Sequence, residues 1–405
     1  MRVPLASSGL REEDIEVVLK VLRSGNLTMG MEVKRFEKLL CEYLGVKHFI
    51  MMNSGSSANL LMFEALLRPT KTKAKLSSGD GVLVPAVAWP TTIWPIIQLG
   101  LVPIFVDINK DTLAIDLIKA QNLIDETQIP VSAIFPIHPL GYGISPSILK
   151  SFCDKNNLIL INDVCESLGS WVEGVHAGTS GIAGSFSFYF SHHITTMEGG
   201  GVATNIDEFA DDLRSMRSHG WSRDRFDSVE WASKKSRNDS KFLFVSTGYN
   251  VRPLEIEAVI GSSQIKDLDV FIEKRRDIAK RVFDSLNSSL LSVIGSEALT
   301  CMEKKLEHSW MLIPIYVSGV NSAMRKQKIV EELNRNGIET RPVLTGNFLS
   351  QPAIKRITRY SIDSANFKVA QDITENAFLV GAHHDLSEEQ IQFLCEKLTM
   401  VSQIK

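Results

Sequence analysis

The stretch Ser185-Phe186-Ser187-Phe188-Tyr189-Phe190-Ser191-His192-His193-Ile194-Thr195-Thr196-Met197-Glu198-Gly199-Gly200 carries more information than any other part of this chain. It opens on an aromatic, strand-like run and closes on Glu-Gly-Gly. Between them stand two adjacent histidines. A free imidazole titrates near pH 6.5, so a histidine can take and return a proton close to neutrality. In an extended segment neighbouring side chains point to opposite sides. His192 and His193 therefore cannot face one ligand equally.

Outward from this stretch, strand and helix signals alternate. Phe49–Met52, Val82–Val84, Ile104–Val106, Val131–Phe135 and Leu158–Ile161 are short apolar runs of strand length. Helical spacing runs through Leu60–Leu67, Thr91–Leu99 and Pro146–Cys153 between them. Such alternation predicts an α/β fold with a mostly parallel sheet covered on both faces. Upstream, Ile15, Val18, Leu19 and Leu22 predict a helix stopped by Gly25, and Val33, Phe36, Leu40 and Tyr43 one stopped by Gly45. The pattern changes after the helix-like Leu254–Leu268. We expect residues 1–268 to form an N-terminal segment plus a large domain, and 269–405 a smaller C-terminal α+β domain.

Composition excludes several functions. Net charge is −3, hydrophobic residues make up 44% and charged residues 22%, so no global basic field exists for nucleic acid or a membrane surface. No run reaches the ~18 apolar residues of a membrane span. The five cysteines (Cys41, Cys153, Cys165, Cys301, Cys395) are scattered and form no C-x-x-C pair. That argues against a disulfide framework or zinc site and for a reducing cytoplasm.

Four features have both a bland and a functional reading. Asn53-Ser54-Gly55-Ser56-Ser57-Ala58-Asn59 lies between a strand and a helix, where it is either an N-cap or an anion cradle. Asp163 ends an apolar run at the carboxyl end of a strand, so it is either a helix cap or a ligand group. Trp89 follows another strand and is either a core residue or a stacking surface. Residues 214–241 are rich in Arg214, Arg217, Arg223, Arg225, Lys234, Lys235, Arg237 and Lys241. They form either a solvated loop or a flap that meets a diphosphate.

Together these pieces resemble the DegT/DnrJ/EryC1/StrS family of sugar aminotransferases. The resemblance spans nearly the whole chain, from Val3-Pro4-Leu5-Ala6 and Leu27-Thr28-Met29-Gly30 to Gly248-Tyr249-Asn250-Val251-Arg252-Pro253-Leu254-Glu255. It implies the aspartate aminotransferase fold (PLP fold type I) and a pyridoxal or pyridoxamine phosphate cofactor (PLP/PMP). It also implies roles for single residues. Gly55, Ser56 and Ser57 would hold the phosphate, and Asp163 the pyridine nitrogen. Trp89, Glu166 and Ser187 would touch the ring. Asn250 would reach the cofactor phosphate of a partner subunit, giving a homodimer with shared active sites.

The departures from the family pattern are informative. The family run ends S-F-x-x-x-K-N-x-T-T-x-E-G-G, and its lysine tethers the cofactor. Ser187 and Glu198-Gly199-Gly200 fix the register, and the lysine column falls on His192. Glu166 replaces the usual glutamine. Both changes resemble those members that dehydrate nucleotide-linked 4-keto-6-deoxyhexoses, with GDP-4-keto-6-deoxymannose favoured. The implied reaction removes the C3 hydroxyl, with L-glutamate as amino donor, on a route to 3,6-dideoxysugars such as the colitose of lipopolysaccharide O-antigen. His192 is the expected acid–base residue, and His193 a structural one. His219, Arg223, Arg252 and Arg341 are candidate substrate contacts. No metal is expected: an iron–sulfur cluster needs about four cysteines, and only Cys301 and Cys395 follow the histidines. An aminotransferase without the lysine and a non-catalytic binding protein are the alternatives.

Overall fold

The computed structural model describes residues 1–7, 9–71, 75–233, 242–286, 290–300, 306–357 and 364–404. Lys234, Lys235, Arg237, Lys241 and Cys301 lie outside the described residues. Among the described residues thirteen strands follow in chain order: β1 (His48–Met52), β2 (Gly81–Pro85), β3 (Val102–Val106), β4 (Val131–Ile134), β5 (Ile159–Asp163), β6 (Trp171–Val172), β7 (Val175–His176), β8 (Ala183–Ser187), β9 (Gly200–Thr204), β10 (Leu291–Val293), β11 (Leu306–Glu307), β12 (Leu312–Val317) and β13 (Ala377–Gly381). Seven of them form the main sheet in the order β1-β9-β8-β5-β4-β2-β3. Its inner pairs are parallel, and β9 runs antiparallel to both β1 and β8.

The strands are buried almost throughout, as covered parallel strands must be. Ile50, Phe63, Val84, Phe135 and Val202 share one large apolar cluster with the helices on the sheet. Local signals set the helix ends. Gly25 and Gly45 adopt left-handed φ of 72° and 68° and stop the first two helices, Glu12–Ser24 and Met31–Leu44. Proline opens Pro90–Gln98 and Pro146–Asn156, where a missing N–H costs nothing.

A second core surrounds the three-stranded sheet β10-β12-β13, with Ile278, Ile315, Ile329, Phe378 and Leu394 at its centre. Val3 lies in this core and bridges Ile338, so the first residues of the chain strap onto its last third. The long helix Leu268–Ser285, which follows the 3-10 turn Ile265–Asp267, carries Ile278, Ala279 and Val282 into this second core, while Met311, Val343, Phe348 and Leu379 pack in the first.

The aromatic run leaves the sheet earlier than its composition predicts. β8 ends at Ser187, Phe188 is buried, and Tyr189 and Phe190 are exposed. Turns occupy residues 190–194, so the two histidines are not on an extended strand.

The basic segment also differs from expectation. Arg217 is buried, with Nη1 donating to Glu37 Oε1 (2.7 Å) and to the Met51 carbonyl (2.6 Å). Arg225 is fully enclosed between Asp212 (3.0 Å) and Asp227 (2.6 Å). Arg214 pairs with Asp211 at 3.1 Å. These three are framework residues and are not free to meet a diphosphate. Breaking a buried pair strands its partner charge, at a cost of about 3–5 kcal/mol. Arg225→Ala should therefore lower the urea midpoint by that equivalent, while Arg223→Ala, on the surface, should leave it nearly unchanged. Equal midpoints for the two variants would contradict the assignment.

Candidate active site

A cavity of about 630 Å³ opens at the carboxyl ends of the parallel strands. Ligands of open α/β sheets bind at this edge. Its floor is Asp163, the last residue of β5 and almost fully buried. Thr92 Oγ1 (2.7 Å) and Asn59 Nδ2 (3.0 Å) both donate to Asp163 Oδ2, and the Cys165 N–H donates to Oδ1 (3.1 Å). Three elements thus fix the carboxylate in one orientation. Sequence reasoning missed Asn59 and Thr92. Asn59 sat in the quoted Ser/Gly turn, and a polar residue on the buried face of a helix was the available signal.

Beside the floor, the helix Gly55–Leu67 begins at the cavity wall, with Ser54, Gly55 and Ser56 in the lining. Its first N–H groups lack intrahelical partners, and its dipole favours an anion there. Ser54 is the N-cap, its Oγ accepting from the Ser57 N–H at 3.1 Å. Ser57 is engaged in this cap and is not among the lining residues. Packing around the helix start is tight. A Cβ on Gly55 would lie 2.7 Å from Ser187 Cβ, and one on Gly200 2.3 Å from the Gly55 nitrogen. Gly200 is needed because the chain returns from the histidines directly over this turn, and Gly199 because its φ is +145° and a Cβ there would strike Thr196.

Trp89 is 52% exposed and lines the cavity, so it is not a core residue. Ser187 also lines it. Glu166 lines it too; its Oε2 accepts from the Leu140 N–H at 3.0 Å. Burial pushes the Glu166 carboxyl above the usual range, and Arg341 and that N–H oppose the shift.

His192 lines the cavity, whereas His193 is buried beside it with Nε2 donating to the Ser309 carbonyl at 3.2 Å. The His192 ring stands edge-on to Tyr189 at 6.0 Å. Burial, then Arg341 and Arg275, push its pKa down to about 3. This corrects the expectation from the free imidazole: at pH 7 the ring is neutral, with a lone pair to accept a proton.

Arg341 lines the far side together with Glu339, which the sequence reading did not single out. Glu339 is held by Arg2 Nε (3.1 Å) and the Leu5 N–H (3.1 Å), so the N-terminal strap forms part of the wall. The other candidates are elsewhere. His219, Arg223, Asn250 and Arg252 do not line this cavity. Asn250 is exposed and accepts from Arg252 Nε at 3.1 Å; Arg223 lies 4.0 Å over the Trp221 ring.

A sequence model of the DegT/DnrJ/EryC1/StrS aminotransferase family matches residues 9–399. The chain belongs to this family. It is 38% identical over 389 residues to GDP-4-keto-6-deoxy-D-mannose 3-dehydratase of Yersinia pseudotuberculosis, covering 95% of each chain. A crystal structure of GDP-4-keto-6-deoxymannose-3-dehydratase, a histidine-to-asparagine mutant with bound GDP-perosamine, matches with TM-score 0.87 at 34% identity, covering 98% of this chain and 100% of that one. A second, with a trapped PLP-glutamate geminal diamine, matches with TM-score 0.84 at 34% identity and the same coverage. The fold is the α/β fold type I of PLP enzymes, with a mixed sheet and flanking helices.

In this family member, buried neutral histidines also shape stability. His138, His176 and His308 each accept a main-chain N–H on a ring nitrogen, from Ile144 (3.0 Å), Gly169 (2.8 Å) and Trp310 (2.9 Å). A protonated ring cannot accept. Burial lowers their pKa values to about 4, 3 and 3. Below about pH 6.5 the unfolded chain takes protons that the folded chain refuses, so stability falls as pH drops from there toward 4. Urea midpoints measured across that window should decline steadily, and a flat profile would contradict the assignment.

Proposed function

We propose that this chain is a PLP/PMP-dependent 3-dehydratase that removes the C3 hydroxyl of GDP-4-keto-6-deoxymannose, with L-glutamate as amino donor. One observation carries the reading: a neutral His192 occupies the cavity wall at the family's tether position, and no lysine is among the described lining residues. The similar structures with bound GDP-perosamine and with a PLP-glutamate adduct support the nucleotide sugar, the cofactor and the donor.

The cavity fits the cofactor. An oriented carboxylate, a helix start and an exposed indole face three sides of one space. Asp163 would accept the pyridine N–H, Ser54, Gly55 and Ser56 would hold the phosphate, and Trp89 would cover the ring. When bound, the group would supply an amine that joins the C4 carbonyl and a ring that acidifies the cofactor carbon bearing that amine, so that the electrons freed by its deprotonation can expel the C3 hydroxyl. His192 takes a proton from the carbon bearing that amine and returns it to the departing C3 hydroxyl. Glu339 and Arg341 face the sugar. Asn250, Arg252, His219 and Arg223 act on the site of a partner subunit, which makes the working unit a homodimer. We place the enzyme in the cytoplasm; no helix among the described residues is long and apolar enough to cross a membrane.

Incubation with the 4-keto-6-deoxy sugar nucleotide and glutamate should yield a product that has lost the C3 oxygen, with ammonia released in step. Nitrogen kept in the sugar would mark an aminotransferase instead. Borohydride reduction should leave no pyridoxyl-lysine peptide. His192→Asn should reduce dehydration by at least ~10²-fold while cofactor binding persists. A variant that loses the cofactor as well would point to a holding role for His192.

A further inference from the structure

Beside the histidine wall lies a second, small space of about 10 Å³, lined by the strap residues Ser7 and Gly9, by Ser191, His192 and His193, and by Arg275, His383 and His384. His192 and Ser191 line both spaces, so the base stands in the partition between them. Such a volume holds one water molecule when two to four polar partners face it.

Polar partners are abundant. Arg275 is 1% exposed; its Nη1 donates to the Met311 carbonyl (3.0 Å) and its Nη2 to the His192 carbonyl (3.3 Å). Its Nε has no partner among the described residues. Neither ring nitrogen of His383 makes a well-aligned hydrogen bond to a described residue, although the Pro4 main chain lies close to the ring and the side chain is 5% exposed. His192 Nδ1, His193 Nδ1 and His384 Nδ1 are also buried without partners among the described residues. Leaving buried donors and acceptors unmatched is costly, and clusters of this kind are commonly satisfied by ordered water.

We propose that this chamber is a single-water site and that His383 is a positioning residue for His192. The inference rests on the reading of His192 as the base. The bonding balances. The water accepts from Arg275 Nε–H and from His192 Nδ1–H, and donates to a ring nitrogen of His383 and to one further imidazole. With its proton fixed on Nδ1, His192 keeps the Nε2 lone pair for the cavity, because the partner of one ring nitrogen sets the role of the other. A chloride-like anion fits less well, since it accepts only and leaves the imidazole lone pairs unmatched.

The test uses crystals and kinetics of the holoenzyme. The wild type should show one density peak within hydrogen-bond reach of Arg275 Nε, His383 and His192 Nδ1. His383→Leu should lose that peak and lower kcat about five- to tenfold, the rate equivalent of one hydrogen bond, with KM for the sugar unchanged. His383→Gln, which can still donate and accept, should restore both. Unchanged kcat and density in His383→Leu would overturn the proposal, as would equal losses in both variants or a strong anomalous peak from bromide-grown crystals. Should His383→Leu not fold, His383→Gln decides: peak and rate kept together support the site, and either one lost alone overturns it. Dehydration surviving in His192→Asn would bring down the base assignment itself. An inactive His192→Asn beside a fully active His383→Leu would bring down the chamber alone.

Discussion

The hydrogen bonds converging on Asp163 are the constraint on which the site depends. They tie the end of β5 to the helix that starts at Gly55, through Asn59, and to the helix that starts at Pro90, through Thr92. One helix brings the anion-binding turn to the cavity, and the other begins immediately after Trp89. A shift of the carboxylate would therefore move the helix start at Gly55 and the Trp89 indole together. Gly55 and Gly200 allow that convergence, because any Cβ at either position meets the neighbouring chain.

His192 is tuned by burial and by two arginines, and the tuning has two sides. A ring whose pKa is pushed down to about 3 is a weak base in the bare protein. Its conjugate acid is correspondingly strong, which favours delivery of a proton to a leaving hydroxyl. The anionic groups of the proposed cofactor and sugar nucleotide would raise the pKa when they bind, so the ring gains basicity when the substrate is present. A lysine in this column would carry a primary amine able to condense with the cofactor's aldehyde; an imidazole has none and cannot form that tether.

The architecture was legible because strand and helix periodicities differ and because Gly25, Gly45 and the two helix-opening prolines act locally. The strand core of the sheet follows the apolar runs closely. The antiparallel β9 was not legible, since Gly200-Gly201-Val202-Ala203-Thr204 has little apolar pattern and is specified by close packing. In the site, His192, Asp163, Glu166, Ser187 and Trp89 were readable from position and register, and the structure gathers them in one cavity. Ser57 shows why the turn was ambiguous in sequence: a cap and a phosphate cradle use the same residue types, and here its N–H closes the cap on Ser54. The basic segment misled for a similar reason: an arginine run looks the same whether the carboxylates that pair with it are exposed or buried. Asp211 and Asp212 stand on the helix Asp207–Met216 just before the run begins, Asp227 lies inside it, and Glu37 comes from the distant helix Met31–Leu44; burial, which the run itself does not show, makes them framework pairs.

The remaining polar candidates lie outside the cavity of their own chain, which is where the proposed homodimer needs them. His219, Arg223 and Asn250 are exposed, and none reaches the cavity of its own chain. His219 holds a left-handed φ of 64°, and its N–H donates to the Tyr249 carbonyl at 2.8 Å. The Ser218–Asn250 bridge then sets the asparagine beside it. A main-chain conformation that disfavours most side chains is thus kept at an exposed histidine whose neighbours Arg217, Ser218 and Gly220 are buried. Such strain is reasonable if the group it orients serves a ligand held by a second copy. The buried arginines of the same segment fit this arrangement, because Arg217 and Arg225 lock the framework that presents this face while the cavity supplies the other half.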